Sequence, residues 1–90
     1  MSDIERLPPH SLEAEEAVLG SLLIDPEAIF EVGSFLRPDM FYRTQNRWIY
    51  EAILSLNDRR EPLDLITLTA EIRNQERLED IGGDGALIKF

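Results

Sequence analysis

The chain has no cysteine among its 90 residues, so no disulfide can staple it and no thiolate can bind a metal or attack a substrate. A reducing cytoplasm suits such a composition. A single histidine, His10, leaves no clustered His/Cys ligand set of the kind zinc requires. It lies beside Pro9 and reads as a surface or cap-adjacent side chain. Lys89 is the only lysine. Nucleic-acid backbones are held by Lys and Arg, and here nine basic residues face 18 acidic ones for a net charge of −9. Little direct nucleic-acid binding is expected, and an acidic surface fits solubility or a basic protein partner better.

Other absences narrow the function further. No apolar run reaches the ~18 residues that span a bilayer. The opening MSDIERLPPH has no basic-then-apolar signal pattern. No stretch alternates apolar and polar residues in the two-residue rhythm of a strand. Gly82-Gly83-Asp84-Gly85 is not followed by the Lys-Ser/Thr of a phosphate loop. It reads as a turn between helices. No Gly-x-Ser-x-Gly nucleophile elbow occurs. The run Glu13-Ala14-Glu15-Glu16 offers paired carboxylates, but they stand at a helix start, where acids complement the helix dipole. No catalytic residue, cofactor site or metal site is assigned.

What is present is helical. Hydrophobic residues make up 43% and charged residues 30%, ordinary for one small folded domain. Residues 1–10 lack periodicity and carry Pro8-Pro9, which reads as an extended arm. Ser11 is the expected N-cap of a first helix. Its buried stripe is Ala14, Val18 and Leu22 with Leu19 and Leu23 beside them, and Gly20-Ser21 would let another backbone approach. Asp25-Pro26 restarts the chain as a second helix lined by Ile29, Val32, Gly33 and Leu36. Arg37-Pro38-Asp39 ends it, and Met40-Phe41-Tyr42 reads as a single turn against the core. Thr44 opens the strongest helix, to Asn57 or Arg59, with Trp48, Ile49, Ala52, Ile53 and Leu56 on one face. Asp64 caps a fourth helix with the stripe Leu65, Leu68 and Ile72. Leu78 and Ile81 lead to the glycine turn, and a last helix starts near Asp84 or Gly85. That helix is short for independent stability, so the segment reads as trimmed from a longer protein. The expected fold is an all-α, compact globular bundle of five or six short helices over residues 11–90.

Arg43 and Arg47 stand one turn apart near Tyr42 and Trp48. Three readings are open: surface ion pairs with acids such as Glu51, contact with a partner, or contact with single-stranded nucleic acid. The −9 balance weighs against the last.

Residues Leu7-Pro8-Pro9-His10-Ser11-Leu12-Glu13-Ala14-Glu15, with Ala17-Val18-Leu19-Gly20 and Leu22-Leu23, closely resemble the opening of the amino-terminal domain of bacterial replicative DNA helicases of the DnaB family. Phe41-Tyr42-Arg43 with Arg47 and Ile49-Tyr50 resembles the family's second block. Glu61-Pro62-Leu63-Asp64 and Leu78-Glu79-Asp80-Ile81-Gly82-Gly83 resemble the third and fourth. Four blocks in order are specific where one would not be. Asn46 departs from the pattern, standing where many relatives have histidine, and Asp84-Gly85 makes the last helix start richer in glycine.

The resemblance implies a non-enzymatic collar domain of a cytoplasmic, six-subunit helicase. ATP and magnesium would belong to a motor domain outside this segment. The implied partners are other helicase subunits and a DnaG-type primase, with a helicase loader also possible. On this reading Arg43, Arg47, Glu13 and Glu16 are the candidate partner-interface residues. The alternative is a stand-alone acidic helical adaptor or regulator that binds a helicase or loader.

Overall fold

Ser11 begins the first helix as its composition requires. Its Oγ accepts the Ala14 N–H at 3.3 Å, and helix α1 runs over Leu12–Ile24. The computed structural model describes residues 11–87. The expected arm over residues 1–10, with Pro8-Pro9 and His10, lies outside the described residues, as do Lys89 and the end of the last expected helix. Pro26 starts a 3-10 turn, Pro26–Ala28, that continues into α2, Ile29–Val32. A second 3-10 turn, Pro38–Met40, precedes α3, Thr44–Asp58. Helix α4 follows over Leu65–Asn74, and a 3-10 turn, Asp84–Leu87, closes the described chain.

The fold is all-helical, with four α-helices among the described residues where five or six were expected. The shortfall is local: the turn expected at Met40–Tyr42 falls earlier, as the 3-10 segment Pro38–Met40 with Phe41 extended, and the start of the last helix is the 3-10 segment Asp84–Leu87. Among the described residues there is no strand.

Helix α3 is the axis on which the rest packs. It meets α4, α1 and the Pro38–Met40 turn, so its buried arc is wider than one face. Ile49, Ala52, Ile53 and Leu56 are buried as expected, and Tyr50 and Asn46 join them. Tyr50 tilts against Phe41 with ring centroids 5.1 Å apart. Its hydroxyl donates to the Leu36 carbonyl at 2.8 Å, and burial raises its pKa above the ordinary 10.0. Trp48, expected in the core, is only partly buried. It lies at the margin of the packed arc, where the Arg77 guanidinium sits 5.0 Å over its ring.

The outer helices are buried along narrower stripes. In α1 it is Leu19 and Leu22 that are buried, with Val18 and Leu23 partly so, while Ala14 and Ser21 are exposed. In α4 the core residues are Leu68 and Ile72, and the expected Leu65 stands largely outside. Asp64 caps α4 reciprocally: its Oδ1 accepts the Thr67 N–H at 2.8 Å and its own N–H donates to Thr67 Oγ1 at 2.9 Å.

Helices α3 and α4 end in the same way. Arg60 N–H bonds Asn57 O at 3.0 Å and Glu61 N–H bonds Leu56 O at 2.9 Å. After α4, Glu76 N–H bonds Arg73 O at 2.9 Å and Arg77 N–H bonds Ile72 O at 3.1 Å. This paired closure places one residue in the left-handed region, and both are non-glycine: Arg60 at φ 58° and Glu76 at φ 59°. A side chain there costs about 1 kcal/mol. Glu76→Gly is therefore expected to raise the urea midpoint by an amount equivalent to about 0.5–1 kcal/mol. An unchanged or lowered midpoint would count against that account of the turn.

Candidate protein-docking site

The first turn of α1 and the start of α3 meet through a carboxylate. Glu15 Oε2 accepts the Tyr42 N–H at 2.7 Å, and its Oε1 accepts the Arg43 N–H at 3.4 Å and Asn46 Nδ2 at 2.9 Å. No side chain of α3's own N-cap, Arg43, bonds the helix end, so a residue 27 positions upstream of Tyr42 does so. The negative charge also lies at the positive end of the α3 dipole. Sequence reasoning gave Glu15 to the dipole of its own helix. Asn46 is buried, and its amide supplies the third donor to the Glu15 carboxylate.

Three of the four candidate interface residues gather around this junction. Arg43 Nη1 lies 3.9 Å from Glu16 Oε2 and its Nε donates to Gln45 Oε1 at 3.4 Å. Arg47 Nη2 donates to the Phe41 carbonyl at 3.1 Å. Glu51, the expected partner of Arg47, pairs instead with Arg77. Glu13 is exposed on the first turn of α1. Arg43, Arg47 and Glu16 thus help hold the junction.

A second surface lies where the α1–α2 connection faces the loop between α3 and α4. Pro26, Ile29 and Phe30 form one wall of a cleft of about 660 Å³, and Pro62 and Leu63 form the other, with Ile53 among the remaining lining residues. Phe30 is 75% exposed. The chain beside each wall carries more uncovered apolar surface, with Ile24 84% and Ile66 80% exposed. Sequence reading counted none of these as a surface. Phe30 neighbours the stripe residue Ile29, and only packing decides which of two adjacent apolar residues turns inward; of Leu65 and Ile66 neither does.

An ion-pair network stiffens the loop beside the cleft. Arg59, the residue after α3, holds Glu71 of α4 through both carboxylate oxygens, and its Nε donates to Glu61 at 2.9 Å. Gln75 Nε2 adds a bond to Glu71 at 2.9 Å. The hydrogen bonds from Arg59 hold the Glu71 carboxyl below the usual 4.5, outweighing the opposite effect of burial. The same contacts, Glu71 first and then Glu61, raise the Arg59 pKa.

A folded carboxyl that binds its proton less tightly than the unfolded one contributes its stability in full above the unfolded value. That contribution is lost as pH falls through the lower folded value. The stability difference between the protein and Glu71→Gln is thus expected to be constant above about pH 5 and to shrink as pH drops below about 4.5. Urea midpoints measured from pH 7 to pH 3 would show this, and a difference that stays constant over the whole range would refute it.

Among the described residues no group of His, Cys, Asp and Glu side chains is placed to hold a metal ion. No described helix is long and apolar enough to cross a membrane. What the arrangement offers is a braced helical block with uncovered apolar and acidic surface.

Residues 7–90 match the family described as DnaB-like helicase N terminal domain. The chain is 49% identical over 79 residues to the replicative DNA helicase DnaB of Geobacillus stearothermophilus, covering 88% of this chain and 17% of that one. It is 47% identical over 85 residues to the replicative DNA helicase DnaC of Bacillus subtilis, covering 92% and 19%. The chain therefore spans under a fifth of the length of these relatives. The crystal structure of the N-terminal domain of the Mycobacterium tuberculosis DnaB helicase superposes with a TM-score of 0.86 at 42% identity, over 92% of this chain and 58% of that one. By sequence and by fold alike, the chain belongs to the DnaB-like helicase N-terminal domain family.

Proposed function

We propose that this chain is the assembly and protein-docking domain of a cytoplasmic, hexameric replicative DNA helicase. Catalysis would reside in an ATP- and magnesium-dependent motor domain outside residues 1–90, and the helical block over 11–90 would join neighbouring subunits and receive a DnaG-type primase. A helicase loader is a further candidate partner. The observation that carries the reading is the match to the family over residues 7–90. The structure adds a physical rationale. A helical block buries its core around α3 yet leaves Ile24, Phe30, Phe35 and Ile66 largely uncovered, and exposed apolar surface on a small soluble domain marks sites of protein contact. Tethering such a block to a motor raises the effective concentration of a docked partner without adding chemistry.

In the docking role, Arg43, Arg47, Glu13 and Glu16 would present charge beside the α1–α3 junction. Titration with the helicase-binding domain of the cognate primase, with and without the chain that follows residue 90 in its relatives, is expected to show saturable binding in at least one arm. Failure in both would sink the docking proposal. Measured nucleotide hydrolysis by the purified segment would overturn the non-catalytic reading.

A further inference from the structure

The cleft between the α1–α2 connection and the α3–α4 loop has walls of one character and a rim of another. Its lining is mostly apolar, with Pro26, Ile29, Phe30, Ile53, Pro62 and Leu63 prominent. Around it the exposed charges are unbalanced. Glu27 lies in the lining, Asp25 and Glu31 flank it on one wall, and Asp58 follows Asn57 on the other. Against these acids stands Arg60, since Arg59 is engaged by Glu61 and Glu71. Ile24 and Ile66, two and three residues along the chain from Pro26 and Leu63, are also exposed.

We infer that this groove receives an amphipathic helix from a partner protein, with apolar anchors one turn apart flanked by lysine or arginine. Apolar side chains at i, i+3 or i+4, and i+7 would fill the cleft beside Phe30 and Leu63. The flanking cations would meet Asp25, Glu27, Glu31 and Asp58, which favours correct partners and steers encounter. The groove lies on a different set of residues from Glu13, Glu16, Arg43 and Arg47. The inference stands whether or not the partner is a helicase component.

The test uses the full chain and a synthetic helical peptide of about four turns with leucine anchors and lysine flanks, beside a twin with glutamate flanks. Amide shifts in NMR locate binding and titration gives affinity. The lysine peptide is expected to bind, to perturb residues 26–30 and 60–63, and to weaken as salt rises. Phe30→Ala should weaken it about tenfold. Glu27→Lys combined with Glu31→Lys should reverse the preference toward the glutamate twin. All three side chains are exposed, and an unchanged circular dichroism spectrum checks that each variant is folded.

Equal binding of the two peptides, no binding, or shifts confined to other residues would overturn the inference. Two other occupants are distinguishable and equally fatal to it. A dimer abolished by Phe30→Ala in light scattering would assign the groove to a second copy. Deletion of residues 1–10 that exposes the same amides would assign it to the chain's own arm.

Discussion

Glu15→Ala is expected to lower the unfolding free energy by about 2–3 kcal/mol, near half of the ~5 kcal/mol available to a domain of this size. The carboxylate accepts from two backbone amides and one side-chain amide at once. Asn46 is 1% exposed, so its Nδ2 would lose its acceptor where water has little access, and an unsatisfied buried donor costs about 1–3 kcal/mol. Tyr42 is exposed and its amide can turn to water, which limits the total. The helix-end charge interaction adds a few tenths of a kcal/mol to about 1.

Glu15→Gln retains an acceptor oxygen but loses the charge, and about half the effect is expected. Glu16→Ala, by contrast, removes a 3.9 Å ion pair whose side chains are both partly exposed, and should change stability by less than about 1 kcal/mol. Urea unfolding of the three variants separates these outcomes. If Glu15→Ala and Glu16→Ala destabilise equally, the inter-helix capping account is wrong.

The other large effect lies in the packing that brings Glu15 within reach. Leu19 is one turn farther along α1 and fully buried. Leu19→Ala is expected to cost about 3–4 kcal/mol, from lost transfer energy and the cavity left in the α1–α3 interface. Such a variant should be partly unfolded at 37 °C and show a broad, early melt by circular dichroism. Ile24→Ala, on the same helix but 84% exposed, should melt within a degree or two of the parent because it removes little packing. A well-folded Leu19→Ala variant would mean that α1 is held mainly by its polar contacts. The contrast also guides functional work: loss of partner binding on changing Phe30 or Ile24 reports on an interface, whereas loss on changing Leu19 reports on folding.

The elements legible in the sequence are those whose causes are local. Ser11, Pro26 and Asp64 mark helix or turn starts through contacts a few residues long. The span expected from Thr44 matches α3 closely, because its apolar period covers four turns. The short segments were misjudged in kind. A single turn at Pro38–Met40 or Asp84–Leu87 has too few residues for periodicity to separate a 3-10 turn from an α-helix. Trp48 was misplaced because a helical wheel ranks apolar size and knows nothing of the neighbours. Arg77, which covers its ring, comes from the chain just past the end of α4.

The candidate interface shows the same division. Arg43, Arg47 and Glu16 were picked out as charged residues near helix starts, and the fold gathers them at one junction. Their geometry rests on Glu15, which the sequence presented as one of three acids in a single first turn. Arg59 and Glu71 are 12 residues apart, and no spacing rule connects them.

Alone, the order of amino acids determined an all-helical chain, where its main helices begin, and membership of a helicase-domain family, since each rests on hydrogen bonds and periodicities within a few residues or on blocks of residue identity. Tertiary packing decided which acid caps α3, which of two adjacent apolar residues faces water, and that uncovered side chains border a groove with an acidic rim. Those outcomes depend on how α1 and α4 lie against α3, and that arrangement is set by side chains far apart in the chain filling shared volume.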